Sequence, residues 1–572
     1  MSHGNERKEG RDFGISKALQ GQFGNLKSGK LNVWNGITLI ALGILALFLV
    51  YPMFMTLIES FLTDSGKCTF QNYLDFFRLP YYNKTLFNSF FVSTTATFLA
   101  TLIGLPLAYV VTRYNLVGKK FFNLVLILSM LSPPFIGAYS WILLLGRSGV
   151  ITQWLSKIGI QVPTIYGFFG IVLVFTLKFF PYIFLYVSGA LGSIDRSLEE
   201  AAENLGGNSW RRLFTVTFPL ILPTITAGML MVFMATLADF GTPMLIGEGY
   251  KVLPVMVYEE YMSETGGNAN FASTLSIVIV ICAVALLMLQ KFIISKRNYT
   301  MSALNPPKVV ELSNSKRAIL TGLCYLIGLV ALLPQITVVI TSFIKTNGPI
   351  FVKGFSFDSY NQILYRLGST ISNTFTYSIV AILIMLLAGL LISYLIVRKR
   401  SKLNSLLDVL VMFPFVVPGA VLGISLLVAF NKPPILISGT WIILVIAYVI
   451  RKLPYTIRSS TAILYQIDAS IEEASISLGV APLKTFFKTT AILMIPGVFS
   501  GAILSWITTI NELSSSIMLY TGKTATISVA IYTEVVRANF GTAAALATIL
   551  TVATTISILI FNKISGNKGI TM

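Results

Sequence analysis

Long apolar runs alternate with short polar segments along most of the chain. A helix needs about 20 apolar residues to cross a hydrocarbon core of about 30 Å, and the sequence contains about twelve runs of that length. Their centres lie near Leu45, Thr101, Leu131, Leu173, Met229, Ala283, Gly328, Leu386, Leu422, Val445, Ile503 and Ala553. This pattern predicts an all-α polytopic membrane protein with about 12 transmembrane helices.

Much of the pattern occurs twice. Residues 88–113 match residues 373–398 at an offset of 285, and Pro133 matches Pro418 at the same offset. Later positions match at an offset of 273, which pairs Lys178 with Arg451, Pro181 with Pro454, Tyr182 with Tyr455, Glu199 with Glu472, Gly206 with Gly479, Pro223 with Pro496 and Asp239 with Glu512. Because matched polar segments fall on the same side of the membrane, we predict two parallel six-helix repeats related by an axis along the membrane normal.

These features divide the chain into four parts. Residues 1–33 are polar and glycine-rich, which predicts a flexible arm. The first half is expected over residues 34–295 and the second half over residues 318–572. Residues 296–317 between them are polar and contain two adjacent prolines, which predicts a linker.

Two polar stretches, which we name the acidic segments, interrupt the apolar pattern at matched positions. They are residues 197–206 (SLEEAAENLG) and residues 470–479 (SIEEASISLG). Gly206 and Gly479 are suited to the left-handed position that ends a helix. Each acidic segment is therefore predicted to form about two turns of helix followed by a sharp reversal.

The acids within each segment are predicted to have different roles. Ser197 and Glu200 have the spacing of a capping box, in which the serine caps the helix start and the glutamate reaches back. The second segment repeats this spacing. Glu199 and its repeat partner Glu472 have no such local role, and we expect them to point toward solvent or a partner protein.

Composition agrees with a membrane protein. Charged residues make up 11% of the chain, against about 25% in soluble domains. The net charge of +19 comes largely from Lys and Arg in the arm and in short loops such as residues 398–402. Counting spans places these clusters on one side, which the positive-inside rule assigns to the cytoplasm together with both termini. We expect no nucleic-acid interface, because no basic surface is interleaved with stacking aromatic residues.

Few residues are available for metal or nucleotide chemistry. The three cysteines are scattered and His3 is the only histidine, so a thiolate cluster or a histidine-based site is not expected. Residues 24–31 (GNLKSGKL) approximate a P-loop, but Leu31 stands where a Ser or Thr would reach Mg²⁺. We therefore expect no cofactor bound by this chain.

Ionisable residues inside spans are costly and are candidates for function. Two repeat-related pairs qualify, Asp239 with Glu512 and Lys178 with Arg451. One interpretation joins these acids and bases in ion pairs, or lets the long side chains of Lys178 and Arg451 extend to a membrane interface. In the other they line a translocation path, where the acids would form a transient site for a metal cation, because carboxylate oxygens are hard ligands. The bases could instead meet an anionic substrate group.

The acidic segments resemble the EAA signature of the membrane subunits of type I ABC importers, in which Glu-Ala-Ala is followed by a glycine and later by a proline. Pro223 and Pro496 occupy the later position here. Two such halves in one chain are similar to ferric-iron-type permeases, with thiamine and phosphonate permeases as relatives. Residues 238–243 (ADFGTP) look most like the ferric-iron type.

The resemblance implies the type I ABC importer permease fold in a bacterial inner membrane, embedded in lipid. Each acidic segment would dock on one of two copies of a cytoplasmic ABC ATPase that binds ATP and Mg²⁺, and an extracytoplasmic solute-binding protein would deliver the substrate. The chain itself would be a transport subunit and not an enzyme. The residues assigned to ATPase coupling are Glu199, Glu200, Ala201, Gly206, Glu472, Glu473, Ala474 and Gly479.

Alternatives from two classes stay open on the sequence. The same machinery could import thiamine or a phosphonate or phosphate ester. A secondary transporter driven by an ion gradient is the alternative of a different class. It predicts inverted repeats with midplane acids, whereas the repeat here is parallel.

Overall fold

The computed structural model describes residues 33–63, 65–130, 134–161, 163–263, 267–295 and 309–564. Nearly all of the predicted arm, including His3 and the P-loop-like residues 24–31, lies outside the described residues. So do Leu131, Pro133 and most of the predicted linker.

The apolar runs of the first half form helices, as a backbone inside a membrane must satisfy its own hydrogen bonds. Short π-helical turns join α1 to α2 and α10 to α11. The helices are α1 (Val33–Leu45), α2 (Tyr51–Ser60), α3 (Gln71–Arg78), α4 (Pro80–Arg113), α5 (Lys119–Met130), α6 (Pro134–Leu145), α7 (Val150–Lys157), α8 (Phe168–Gly192), α9 (Arg196–Asn204), α10 (Ser209–Arg212), α11 (Phe218–Leu237), α12 (Gly241–Ile246), α13 (Leu253–Met262) and α14 (Ala269–Ser295).

The second half repeats this order and adds an antiparallel hairpin of two strands, β1 (Ile344–Asn347) and β2 (Ile350–Phe355), which the sequence did not predict. Its helices are α15 (Asn314–Ser342), α16 (Asp358–Gln362), α17 (Gly368–Arg398), α18 (Lys402–Met412), α19 (Gly419–Phe430), α20 (Trp441–Gln466), α21 (Ser470–Ser477), α22 (Pro482–Thr485), α23 (Ala491–Ile510), α24 (Ser516–Leu519), α25 (Ile527–Val536) and α26 (Phe540–Ile564).

Within the described residues, ten helices are long and apolar enough to cross a membrane. The segment from α18 to α19 bends by 112° just before Gly419 and makes eleven if it is one span. The further predicted span is α20, whose 26 residues include Arg451, Lys452 and Arg458 and are therefore less apolar. The prediction of an all-α polytopic membrane protein is confirmed.

The first helix of each half packs against the other half. Helices α1 and α2 lie on α18 and α19, and Trp34 of α1 is buried with its ring 4.6 Å from Tyr394 and 5.3 Å from Phe486. In return α15 lies on α5 and α6, and its Cys324 and Ala331 belong to the apolar core of the first half. This exchange of first helices ties the two halves together.

Each half also brings two long helices into close contact at a glycine. A methyl group on Gly104 of α4 would lie 2.7 Å from the Phe180 carbonyl oxygen of α8. A methyl group on Gly389 of α17 would lie 2.6 Å from Thr456 Cγ2 of α20. The two glycines are related by the 285-residue offset, so the repeat extends to this contact, where small residues let helix backbones approach.

The substitution Gly104→Ala tests this contact. Gly189→Ala on α8 is the matched control, because no described heavy atom lies within 4 Å of a methyl group placed there. We expect Gly104→Ala to destabilise the protein by about 1–3 kcal/mol through overpacking, and Gly189→Ala to leave stability unchanged or higher. Thermal unfolding in one detergent measures both, and equal melting temperatures would contradict the close approach.

Candidate functional site

A buried ion pair attaches the first acidic segment to the end of α4. Arg113, the last residue of α4, donates from Nη1 to Glu199 Oε2 over 2.9 Å, and its Nη2 pairs with the other carboxylate oxygen. Thr217 donates to the same carboxylate over 3.0 Å. The side chains of Arg113 and Glu199 are only 7% and 16% exposed. Because such a two-point pair is geometrically specific, it fixes α9 against α4.

The second acidic segment is held at the end of α17 in the same way. Arg398, the last residue of α17, donates from Nε to Glu472 Oε1 over 3.0 Å. The Tyr394 hydroxyl, one turn earlier, donates to Glu472 Oε2 over 3.0 Å. Glu472 is buried. Arg113 and Arg398 are the last residues of the matched stretches 88–113 and 373–398. The sequence pattern alone did not predict their partners.

The predicted roles of the acids in the first segment are wrong. The N-cap is Asp195 and not Ser197, since the Asp195 carboxylate accepts a 2.9 Å hydrogen bond from the Ser197 amide. Glu200 pairs with Arg196 one turn earlier, and its side chain is 51% exposed. Glu199 faces inward, because the buried guanidinium at the end of α4 needs a charged partner.

The same correction applies to the second segment. Helix α21 begins at Ser470 itself, and the Asp468 carboxylate accepts a 2.9 Å hydrogen bond from the Ser470 amide. This backbone hydrogen bond, helped by one from the Ser470 side chain, lowers the pKa of Asp468 below its ordinary value. Glu473 is exposed while Glu472 is buried.

The predicted reversal at the end of each acidic segment is confirmed. Gly206 has a φ of +79° and Gly479 a φ of +84°, a conformation that glycine adopts without steric cost. The residues just before them, Leu205 and Leu478, are 88% and 85% exposed. The exposed surface of the two segments includes Glu200, Ala201, Leu205, Glu473, Ala474 and Leu478.

The opposite end of the bundle, where α4 and α17 begin, is named the far face. Here Asn88 of α4 donates to the Lys251 carbonyl over 2.8 Å, and the Ser89 hydroxyl accepts from the Leu253 amide over 2.7 Å. Leu253 is the first residue of α13, so α4 caps that short helix with a side-chain oxygen.

The second half repeats this capping at α25. Asn373 of α17 donates to the Ala525 carbonyl over 3.0 Å, and the Thr374 hydroxyl accepts from the Ile527 amide over 2.8 Å. Ile527 is the first residue of α25. The matched Asn-Ser and Asn-Thr dipeptides therefore hold the short helices α13 and α25 to the long helices.

A carboxylate reinforces each of these far-face contacts. The Tyr82 hydroxyl of α4 donates to Glu260 of α13 over 3.0 Å. In the second half, Arg366 Nη2 lies 2.6 Å from Glu534 Oε2 of α25, and the Glu534 side chain is 1% exposed. In the first half, α4 thus contacts a carboxylate at each end. In the second half, α17 contacts one at its last residue, and Arg366, in the π-helical turn just before α17, contacts one at the far face.

The charged residues predicted inside spans form ion pairs. Lys178 Nζ lies 3.4 Å from Asp239 Oδ2. In the second half Glu512 pairs with Arg451 and also with Lys452, whose Nζ lies 2.7 Å from Glu512 Oε2. All five side chains are largely buried. The structure thus shows the ion pairs of the first interpretation, and the translocation path of the second stays a prediction.

Lys452 was not among the predicted residues, because the 273-residue offset places the apolar Phe179 opposite it. The acids proposed as a transient metal site, Asp239 and Glu512, are each engaged by a base. Among the described residues, no cluster of three or more His, Cys, Asp or Glu residues could hold a metal ion.

The segments that follow the two acids meet across the halves. A methyl group on Gly241, two residues after Asp239, would lie 3.2 Å from Cδ2 of Leu513, the residue after Glu512. The two membrane ion pairs therefore lie beside a direct contact between the halves.

The family of binding-protein-dependent transport system inner membrane components matches the chain twice, over residues 100–298 and 385–567. These matches cover more than half of the chain, one in each half. The chain belongs to this family. Two permease domains are thus fused in one polypeptide. This confirms the resemblance to fused importer permeases that the sequence indicated.

Three relatives of this permease are named as permease proteins of ferric or molybdenum transport systems. A putative ferric transport system permease protein of Haemophilus influenzae is 31% identical over 87% of this chain and 81% of its own length. A ferric transport system permease protein of Actinobacillus pleuropneumoniae is 31% identical over 91% of this chain and 77% of its own. A molybdenum transport system permease protein of Escherichia coli is 29% identical over 35% of this chain and 89% of its own.

Replacing the two glutamates of the first segment separately tests their revised roles. Glu199→Ala leaves the buried Arg113 without its carboxylate, and breaking a buried pair costs about 3–5 kcal/mol. Glu200→Ala removes an exposed pair worth about 0–1 kcal/mol. We expect a lower melting temperature of the purified permease for Glu199→Ala only. A loss confined to Glu200→Ala would contradict the assignment.

The Lys178–Asp239 pair can be tested by removing one or both partners. We expect Lys178→Met to destabilise the permease, since it leaves a buried carboxylate unpaired. Adding Asp239→Leu should restore most of the stability, because an apolar pair can replace a buried ion pair. Melting temperatures of both variants are the measurement. A double variant as unstable as the single one would contradict the pairing.

Proposed function

We propose that this chain is the membrane-spanning subunit of an ATP-driven, binding-protein-dependent importer of ferric iron. The observation that supports ferric iron as the substrate is the similarity to two ferric transport permeases. Each of them aligns with 87% or more of this chain. Membership of the family supports the class of transporter. The duplicated, arginine-anchored acidic segments support coupling to an ATPase.

In this proposal a separate ABC ATPase binds each acidic segment, so that two copies lie beneath the two halves. The surface offered to them is the exposed one, Glu200, Ala201 and Leu205 with Glu473, Ala474 and Leu478. Glu199 and Glu472 act indirectly, by holding the segments to the bundle. Both termini lie on this cytoplasmic side, and the solute-binding protein delivers substrate to the far face.

The long helices connect the two faces. Helix α4 has 34 residues, about 50 Å at 1.5 Å per residue. It is bonded to the acidic segment at its last residue and to α13 in its first turns. Helix α17 makes the equivalent contacts to Glu472 and α25. ATP-driven closure of the ATPases would therefore move α13 and α25 as well, and alternate the access of the path.

Transport by the reconstituted importer tests the proposal. Proteoliposomes with the permease, the ATPase and the binding protein should take up ferric iron when ATP is supplied. Uptake of thiamine or a phosphonate in place of iron would contradict the substrate. Uptake that needs an ion gradient and no ATP would contradict the class of transporter.

The glycines that end the acidic segments provide a sharper test of coupling. Proline fixes φ near about −65° and cannot adopt the +79° of Gly206 or the +84° of Gly479. We expect Gly206→Pro and Gly479→Pro to abolish ATP-driven uptake while the permease still inserts in the membrane. Normal uptake by both variants would contradict the docking role.

Gly66 supplies the matched control on the far face. Like Gly206 and Gly479, it has positive φ, +76°, and donates its amide to the carbonyl three residues earlier. No described heavy atom lies within 4 Å of a methyl group at any of the three. Gly66→Pro should therefore cause similar local strain and leave coupling intact.

A further inference from the structure

Two bases share one carboxylate inside the second half. Arg451 and Lys452 are neighbours on α20, and the side chains of both pair with Glu512 of the segment that follows α23. The Lys452 Nζ lies 2.7 Å from Glu512 Oε2, and Arg451 contacts Oε1. This largely buried group therefore carries one positive charge more than its carboxylate balances.

The first half contains a balanced version of the same group. Lys178 and Asp239 form a one-to-one pair, and the position that matches Lys452 holds the apolar Phe179. A buried charge without a counter-charge is costly, and the first half shows that this fold can be built without one. The extra base of the second half thus points to a role beyond packing.

The carboxylate of Glu512 is already fully engaged. Its Oε1 accepts hydrogen bonds from the Ser515 amide and the Ser515 hydroxyl, each over 3.1 Å, in addition to the contact with Arg451. Across the parts of the chain that the structure describes, Glu512 is also the one acid that pairs with Arg451 or Lys452. A guanidinium has five N–H donors and an ammonium three, so donors of both bases are left for a further anionic group.

The start of α19 adds positive potential beside these bases. The segment from α18 to α19 bends by 112° just before Gly419. Gly419 is buried, and a methyl group on it would lie 2.7 Å from Cζ of Arg451. The first amides of a helix lack intrahelical acceptors and form its positive end. Broken spans present such ends to anionic groups, whereas a guanidinium alone at this end is unfavourable.

We propose that Arg451, Lys452 and the first amides of α19 bind a small oxyanion, such as phosphate or a carboxylate. Guanidinium matches these anions because it donates paired hydrogen bonds to two of their oxygens. One bound anion compensates the excess positive charge, and Glu512 keeps the donors that hold it in place. The unequal charges of the two halves then have a chemical purpose.

The role of this anion site in transport rests on the proposed import of ferric iron. The two bases would repel a bare ferric ion, because like charges interact strongly where the dielectric constant is low. Oxyanions supply hard oxygen ligands, which suit a small and highly charged metal ion. The cargo that fits this group is therefore a ferric ion that carries a small oxyanion, with the oxyanion on Arg451 and Lys452.

Thermal unfolding of the purified full-length permease, with inorganic phosphate as the probe, tests the anion site. Phosphate replaces chloride at constant ionic strength. The melting temperature of the wild type should rise with phosphate concentration, because a ligand that binds the folded state stabilises it. Lys452→Met should weaken the apparent affinity for phosphate at least about tenfold, the effect of losing one charge-assisted hydrogen bond.

Arg458→Met is the matched control, because Arg458 lies on the same helix in a partly exposed one-to-one pair with Asp408. It should respond to phosphate as the wild type does. An absent phosphate response in the wild type, or an equal response in Lys452→Met, overturns the site. Lys452→Met leaves the Arg451–Glu512 pair in place and should fold. Should it not fold, Lys452→Gln keeps a hydrogen-bond donor beside Glu512 and gives the same comparison.

Iron uptake by the complete importer separates this inference from the proposed function. ATP-driven uptake by Lys452→Met at the wild-type rate rejects the role of the anion site in transport. Absent iron uptake by the wild type, together with a phosphate response that Lys452→Met loses, rejects ferric-iron import and leaves the anion site standing.

Discussion

Two buried ion pairs, Arg113 with Glu199 and Arg398 with Glu472, attach the acidic segments of this permease to its long helices. A buried guanidinium that loses its carboxylate costs several kcal/mol, about 3–5 in measured cases, so each acidic segment stays attached to its long helix. The same long helices hold α13 and α25 at the far face through hydroxyl and amide side chains. In the proposed importer, a displacement at one face is carried to the other by these helices, which are anchored at both ends.

The two halves share this framework but differ in its charges. Glu512 has two bases where Asp239 has one, and Arg366 binds Glu534 where a tyrosine binds Glu260.

Sequence reasoning predicted the features that depend on local pattern: the apolar spans, the internal repeat and the left-handed glycines that end the acidic segments. It failed where the outcome depends on a distant residue. Which glutamate of each pair turns inward is decided by arginines 86 and 74 residues earlier in the chain. The exchange of α1 and α15 between halves likewise arises from packing between elements whose local sequence gives no sign of their partner.

The most direct test of this account measures the distance between spin labels on the far face, at positions 81 and 365, both exposed at the start of the long helices. The labels are attached to cysteines in a permease whose three native cysteines are replaced. The account predicts that trapping the bound ATPases with ATP changes this distance in the parent protein. In Glu199→Gln combined with Glu472→Gln, the distance should stay at its resting value although the ATPases still bind. An equal change in both proteins would contradict the claim that the buried ion pairs couple the two faces.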